Sequence, residues 1–332
     1  MIFRDIRKTW LPALYQGRKT MKGYFEGWYY KFADQGEKHI GALIPGVSFD
    51  KEGQHPHSFI QFLDDSGVLS HYFRYDIKDF SPSDKTSGIT IAGSSFSPGR
   101  IDVNINEPPF TIKGVLAFKG ICPWPVKFFS PGAMGWYAFI PSMECYHGVL
   151  SFDHLIEGGL EFNGKFIDYT GGRGYIEKDW GRSFPSYHIW IQTNHFENPG
   201  TSLMISVANV PWFGNSFDGF IAGFWYQGHL YRFTTYTGDK ISRISYDGER
   251  LVLYIQSKTH RLEAEVFYLQ GARLLTPVLG DMQGRLSESL AASTHLRLFQ
   301  LNTGAERLLF EGIGRHTGLE IEGDLPSRLS KE

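Results

Sequence analysis

The sequence predicts an all-β protein built as two tandem halves. Aromatic residues make up 16% of the 332 positions, 27 Phe, 17 Tyr and 8 Trp beside 38 Gly, which joins side chains suited to a pleated surface with formers of tight turns. Alternating or aromatic-rich runs, punctuated by Gly, Pro, Asn and Asp, recur from end to end. The length is more than one sandwich or barrel ordinarily uses, which favours two domains.

In the first half, period-two alternation predicts strands at Tyr24 to Phe32, His39 to Phe49, His57 to Leu63, Leu69 to Phe80, Ile89 to Phe96, Ile101 to Ile105 and Phe110 to Ile121. Trp136 to Phe152, Leu160 to Tyr169 and Gly174 to Trp180 complete that half. The second half offers ten more runs, from Tyr187 to Phe196 through to Leu319 to Glu322. Helical periodicity is scarce, its best candidate being Leu286 to Thr294, with Leu286 and Leu290 four residues apart. GWYYKF at Gly27 to Phe32 and IWIQTNHF at Ile189 to Phe196 echo one another, with Trp28 opposite Trp190 about half the chain away. Gly, Arg, Ser and Pro interrupt the pattern at Arg182 to Ser186, so the domains are expected at residues 1–182 and 183–332.

Charge and composition exclude several classes. With 33 Lys and Arg against 35 Asp and Glu, the net charge of −2 supplies no basic stripe for nucleic acid. The N-terminus lacks the apolar stretch of a secretory signal, and no run approaches the roughly 18 apolar residues of a membrane span. Two cysteines, Cys122 and Cys145, are too few for a disulfide framework. The expected setting is the cytoplasm, with a peripheral membrane contact left open and no oligomeric state legible.

Three patterns that suggest other chemistry have plainer readings. His55 and His57 flank a proline and have no third ligand at a recognisable spacing, so no metal is expected. Gly171, Gly172 and Gly174 precede strand rather than helix, which is a hairpin turn and not a phosphate loop. Cys145 and His147 share one side of a strand, but a buried thiol is commoner than a reactive one.

Three stretches go beyond composition: YFEGWYYKF at Tyr24 to Phe32, PGAMGWYAFIPSMECYHG at Pro131 to Gly148, and GYIEKDWGRSFPSYHIWIQTNHF at Gly174 to Phe196. Together, and in this order, they resemble the tocopherol cyclase family. The resemblance implies two lipocalin-like antiparallel β-barrel or sandwich domains, with an interior that can hold one greasy ligand. It also implies, for the plant and cyanobacterial members, conversion of a prenylated hydroquinone to a chromanol. Unlike the plant members, this sequence shows no plastid-transit-like stretch.

That reaction needs a proton delivered to a trisubstituted alkene and a tertiary cation trapped by a phenol oxygen, so no cofactor is expected. A carboxylic acid in an apolar setting suits the first task, and aromatic faces suit the cation. Alternation places Glu26, Trp28 and Tyr30 on one strand face, Glu144 with Tyr146 on another, and Glu177 with Asp179 on a third. Glu26, Glu144 and Asp179 are therefore the candidate acids. Trp28, Tyr30, Trp136, Tyr146, His147 and Trp190 are the candidate ligand-binding residues, with Gln192 and Asn194 placed to orient a hydroxyl. The aromatic residues could equally fill the core, Glu26 could pair with a base, and Asp179 could cap a turn. Two functions fit: an acid-catalysed cyclase or hydratase acting on a prenylated aromatic or polyene, and a non-catalytic carrier of hydrophobic molecules.

Overall fold

A computed structural model describes residues 6–17, 21–64, 70–141, 143–212, 214–268, 271–302 and 304–323. Among them there is no α-helix, and regular structure outside the strands is confined to short 3-10 turns. The chain separates into two units. The first takes the described residues up to Asp64, those from 70 to Phe184, and the segment Leu274–Arg285; the second takes Pro185–Arg273 and the described residues from Leu286 onward.

Twelve strands begin in the first unit: β1 (Tyr24–Ala33), β2 (Ile40–Phe49), β3 (His57–Asp64), β4 (Ser70–Asp76), β5 (Phe80–Ser83) and β6 (Gly88–Ile91) come first. They are followed by β7 (Ser94–Ser97), β8 (Arg100–Glu107), β9 (Phe110–Lys119), β10 (Cys145–Phe162), β11 (Lys165–Asp168) and β12 (Arg173–Gly181). They form one antiparallel sheet in the order β4-β3-β2-β1-β12-β10-β9-β8-β7-β6-β5, with β11 beside β10. The sheet curls on itself, because rings on strands far apart in this order meet. Tyr30 of β1 lies 5.9 Å from Phe96 of β7, and Phe73 of β4 lies 6.3 Å from Phe110 of β9. The inner face is a core of apolar residues including Trp28, Tyr30, Leu43, Ile60, Ile101 and Leu116, each placed by the two-residue repeat of its strand.

The second unit repeats the plan with β13 (His188–Thr193), β14 (Ser202–Trp212), β15 (Asn215–Tyr226), β16 (His229–Thr234) and β17 (Lys240–Tyr246). Its sheet continues with β18 (Arg250–Gln256), β19 (His260–Phe267), β20 (Ala272–Val278), β21 (Asp281–Asn302) and β22 (Ala305–Glu322), although Leu274–Arg285, most of β20 and the start of β21, belongs to the first unit. Their order is β16-β15-β14-β13-β22-β21-β19-β18-β17, with β20 on β21. Phe224 of β15 against Phe310 of β22, at 4.9 Å, and Tyr231 of β16 against His260 of β19, at 5.2 Å, close this sheet in the same manner. In each sheet the first strand lies between the second and the last, so β1 and β13 are topological equivalents. Their tryptophans are not: Trp28 points inward with Tyr30, whereas Ile189 and Ile191 fill the second core and leave Trp190 on the outer face. The Trp28-to-Trp190 correspondence is therefore off by one residue, which inverts the face.

Two sequence expectations are corrected. Leu286 to Thr294 is strand, part of β21, whose inward residues Leu290, Ala292, Thr294, Leu296 and Leu298 alternate along the pairing with β22. A spacing of four is even and satisfies a strand as well as a helix, and sheet pairing decides. Trp136 to Phe152 is not one strand: Gly135–Phe139 is a 3-10 turn, and β10 starts only at Cys145.

The segment Leu274–Arg285 completes the first unit by docking on the outer face of its sheet. Gln61 of β3 bonds Leu275 through both amide atoms, at 2.9 and 3.1 Å, as a strand edge would. At the turn, Gly280 (φ +85°) approaches Tyr24 and Phe49 so closely that a Cβ would lie 2.1 Å from the Phe49 carbonyl oxygen. Only glycine satisfies both that φ and that clearance.

Burial holds two histidines of the first unit neutral. His154 lies against Phe118 with Nδ1 at 3.1 Å from Ser151 Oγ, and burial pushes its pKa down to about 3. Burial, aided by Arg74, takes His57 down to about 4. Both folded values lie below the unfolded one near 6.5, so on acidification the unfolded chain takes up the protons first. Stability is full above about pH 6.5 and falls as the pH drops toward these values. Near pH 5 each histidine is expected to contribute a slope of about 1.4 kcal/mol per pH unit. His154→Gln should remove one such contribution in urea denaturation compared at pH 5 and pH 6, and an unchanged slope would refute the assignment.

Candidate functional site

Parts of the three sequence motifs fall on three adjacent strands, Tyr24–Phe32 on β1, Cys145–Gly148 at the start of β10 and Gly174–Gly181 on β12. β12 is the middle one, with β1 on one side (Glu26 opposite Trp180, Trp28 opposite Lys178) and β10 on the other (Tyr146 opposite Trp180, His147 opposite Asp179). Because partners in register share a face, this puts Glu26, Trp28, Tyr30, Tyr146, Lys178 and Trp180 inward, and Tyr175, Glu177, Asp179, Cys145 and His147 outward. Each face carries its own polar cluster.

Inside, Glu26 and Lys178 form an ion pair at 2.6 Å, both side chains fully buried. The carboxylate also accepts from the Gln16 and Gly17 amides at 2.9 and 3.1 Å and from the Tyr24 hydroxyl. Lys178 donates to the Pro12 and Leu14 carbonyls at 2.9 and 2.5 Å and lies over the Trp28 and Trp180 rings at 4.7 and 4.9 Å. Tyr146 stacks on Trp180 at 5.6 Å. Burial and the Glu26 charge push the nearby Tyr15 phenol up. Both charges of this cluster are hydrogen-bonded within the protein, and their connections run to the segment Ile6–Gly17. That is the arrangement of an anchor.

Outside, His147 Nδ1 is 2.9 Å from Asp179 Oδ1, and His147 Nε2 is 3.6 Å from Glu177 Oε2. The Tyr175 hydroxyl donates to that same Glu177 oxygen at 2.5 Å. Access is graded: the Asp179 side chain is 25% exposed, His147 10% and Glu177 5%, while Tyr175 is wholly buried. Burial, with Glu177, pushes the Tyr175 phenol well up, so it stays a donor. Burial and the carboxylates of Asp179, Glu144 and Glu177 likewise hold the Cys145 thiol protonated, which argues against a nucleophile. Asp179 and His147 share a hydrogen bond, while Glu177 stands near the other imidazole nitrogen at a distance too long for one. The ligand atoms of these three residues also lie within 4.8 Å of one another, close enough to hold a metal ion.

Glu144 precedes β10, half-buried, with burial raising its carboxyl against the opposing effect of Arg182; its carbonyl accepts from the Arg182 amide at 2.8 Å. Trp136, expected inside, is 42% exposed. Trp190 and Gln192 lie on the outer face of β13 in the second unit and Asn194 just past its end, all buried. Trp190 is opposite Glu320 and packs over Gly318, where a Cβ would meet its ring at 2.5 Å. Neighbouring His188 Nε2 lies 3.1 Å from Glu320 Oε2. Sequence reasoning placed Glu177 beside Asp179 but did not select it or Tyr175 for the site; the signal was the alternation Tyr175, Glu177, Asp179, and it needed His147, some thirty residues away, to acquire meaning.

Two curled antiparallel sheets with apolar interiors define a lipocalin-like fold. The Tocopherol cyclase-like family matches residues 99–323, and the chain belongs to that family. It is 28% identical over 155 residues to the chloroplastic tocopherol cyclase of Zea mays, a match covering 44% of this chain and 31% of that protein. To the probable chloroplastic tocopherol cyclase of Oryza sativa subsp. japonica it is 22% identical over 197 residues, 57% of this chain and 42% of that one. The chain thus spans less than half the length of these relatives. Among solved structures, CghA superposes with a TM-score of 0.55 at 8% identity over 93% of this chain and 89% of that one. A protein of Nitrosomonas europaea assigned as AttH gives 0.52 at 13% over 89% and 92%. At these identities the likeness is one of fold.

The two clusters predict different mutant behaviour. Lys178→Met strands the Glu26 carboxylate in the core and should destabilise by about 3–5 kcal/mol in urea denaturation. The double variant Glu26→Gln with Lys178→Met, which removes both charges, should recover much of that loss; additive losses would mean that the pair is not coupled.

Proposed function

We propose that this protein is an acid-catalysed cyclase that closes a chromanol ring on a prenylated hydroquinone or a closely related greasy substrate. The observation that supports this most is the hydrogen-bonded pair of Asp179 and His147, backed by Glu177 and Tyr175, on strands made of the family-like motifs. Asp179 is the member most open to solvent and therefore the one a ligand can reach. Of the acids chosen from sequence it is the preferred donor, since Glu26 is committed to Lys178 and Glu144 lies before the strand.

The reaction balances without a co-reactant. The Asp179 carboxyl proton adds to the less substituted alkene carbon, the tertiary cation is captured by the phenol oxygen with formation of a C–O bond, and the phenolic proton returns to Asp179. Substrate and product have equal mass. His147 orients the carboxyl and stabilises the carboxylate left after transfer, with Glu177 and Tyr175 fixing the imidazole from behind. Trp28, Tyr30 and Tyr146 lie on the opposite face of the sheet from Asp179 and serve as core packing and as the aromatic setting of Lys178.

The test is to incubate the protein and its variants with a panel of prenylated hydroquinones and polyenes and weigh the products. Equal mass reports cyclisation, and a gain of one water reports hydration. Asp179→Asn should lower turnover by about 10² to 10⁴ with little change in affinity, and treatment with a chelator should leave turnover unchanged. Loss of turnover on chelation would reassign His147, Glu177 and Asp179 as metal ligands. Tight binding with no product would replace the cyclase by a carrier.

A further inference from the structure

The first unit exposes a group of large apolar side chains that neither core nor site accounts for. Phe128 and Phe129 are 70% and 80% exposed, Ile6 63% and Leu11 50%. They are held, not frayed. Lys127 and Ser130 exchange backbone hydrogen bonds at 3.1 Å, a turn with the two phenylalanines at its tip. Trp10 stacks on Phe128 at 5.6 Å, meets Phe139 edge-on at 5.4 Å, and donates its indole N–H to the Phe128 carbonyl at 2.8 Å. Trp136, 42% exposed, belongs to the same segment as Phe139.

The charge pattern selects the partner. Residues 6–17 and 120–141, which supply this surface, contain Arg7, Lys8 and Lys127 and no Asp or Glu. Aromatic rings on a hydrogen-bonded turn, in segments that contain cations and no acidic residue, match the boundary of an anionic phospholipid layer, where rings enter the headgroup region and Lys and Arg meet the phosphates. A second copy of the chain would bring like charge against like charge. We propose that this surface docks the protein on anionic membranes, with Phe128 and Phe129 as the inserting pair and Arg7, Lys8 and Lys127 as the electrostatic contact. Its segment Ile6–Gly17 is the one that Lys178 and Glu26 pin down, so the docking surface is fixed to the sheet that carries the candidate acid. The proposal stands independently of which reaction the protein catalyses.

The experiment is co-sedimentation of the full chain with vesicles of phosphatidylcholine alone and with about one third phosphatidylserine. Binding is expected to the second and to weaken as salt is raised. Phe128→Ala with Phe129→Ala should reduce it at least about tenfold, and Lys127→Glu should reduce it by about fivefold or more and flatten the salt dependence. Retained near-ultraviolet circular dichroism confirms that the variants are folded. No sedimentation of the wild type, or undiminished binding by the double variant, would overturn the proposal. So would a shift of the double variant from dimer to monomer on size exclusion without any vesicle binding, which would make the surface a protein interface.

Discussion

The buried pair of Glu26 and Lys178 is the constraint on which the rest of the first unit depends. Two charges removed from water are tolerable only when each is fully matched, and here the matching draws in both β1 and β12, the Tyr24 hydroxyl, and four backbone groups between Pro12 and Gly17. The requirement fixes the register of β12 against β1, since a slip of one residue would put Lys178 on the opposite face from Glu26. It follows that Tyr175, Glu177 and Asp179 point outward together. The position of the carboxylate-imidazole cluster on one face is thus the necessary complement of the ion pair on the other.

This arrangement also separates two clusters that one stretch of sequence supplies. In GYIEKDWG, alternate residues serve different ends: Lys178 and Trp180 join the interior anchor, while Glu177 and Asp179 join the outer cluster. Glu26 is enclosed with its lysine and fully buried, whereas Asp179 is bonded to an imidazole and a quarter exposed. Glu26 and Asp179, alike as residue types set among aromatics, are distinguished only by the partner the sheet delivers to each.

How far the sequence could be read follows from the range of the interactions involved. The all-β class, the start of β1 at Tyr24 and the shared face of Glu26, Trp28 and Tyr30 rest on local alternation, and the structure adopts them. Features set by long-range pairing were out of reach. Leu286 and Leu290 carry no local mark of which partner they will find, and β22 makes them strand. Trp136 is apolar and sits between two motifs, yet the 3-10 turn turns it to solvent. Glu177 gained its place only when His147 was brought beside it from another strand. The inversion of Trp190 relative to Trp28 is likewise invisible in the letters, because a one-residue offset preserves resemblance while exchanging inside for outside.

The excursion of Leu274–Arg285 bears on the order in which the polypeptide can acquire its structure. The first unit borrows a piece that lies ninety residues beyond its other strands, after most of the second unit has been traversed. During synthesis, the amide pair of Gln61 and the Ser48 hydroxyl must wait for Leu275 and Gly280 to leave the ribosome before their bonds can form. The amino-terminal sheet can therefore assemble early but is sealed late, so the chain has no single point at which a cut would yield two intact pieces. Any scheme for dividing, permuting or exchanging the halves has to carry that short hairpin along with the half it serves.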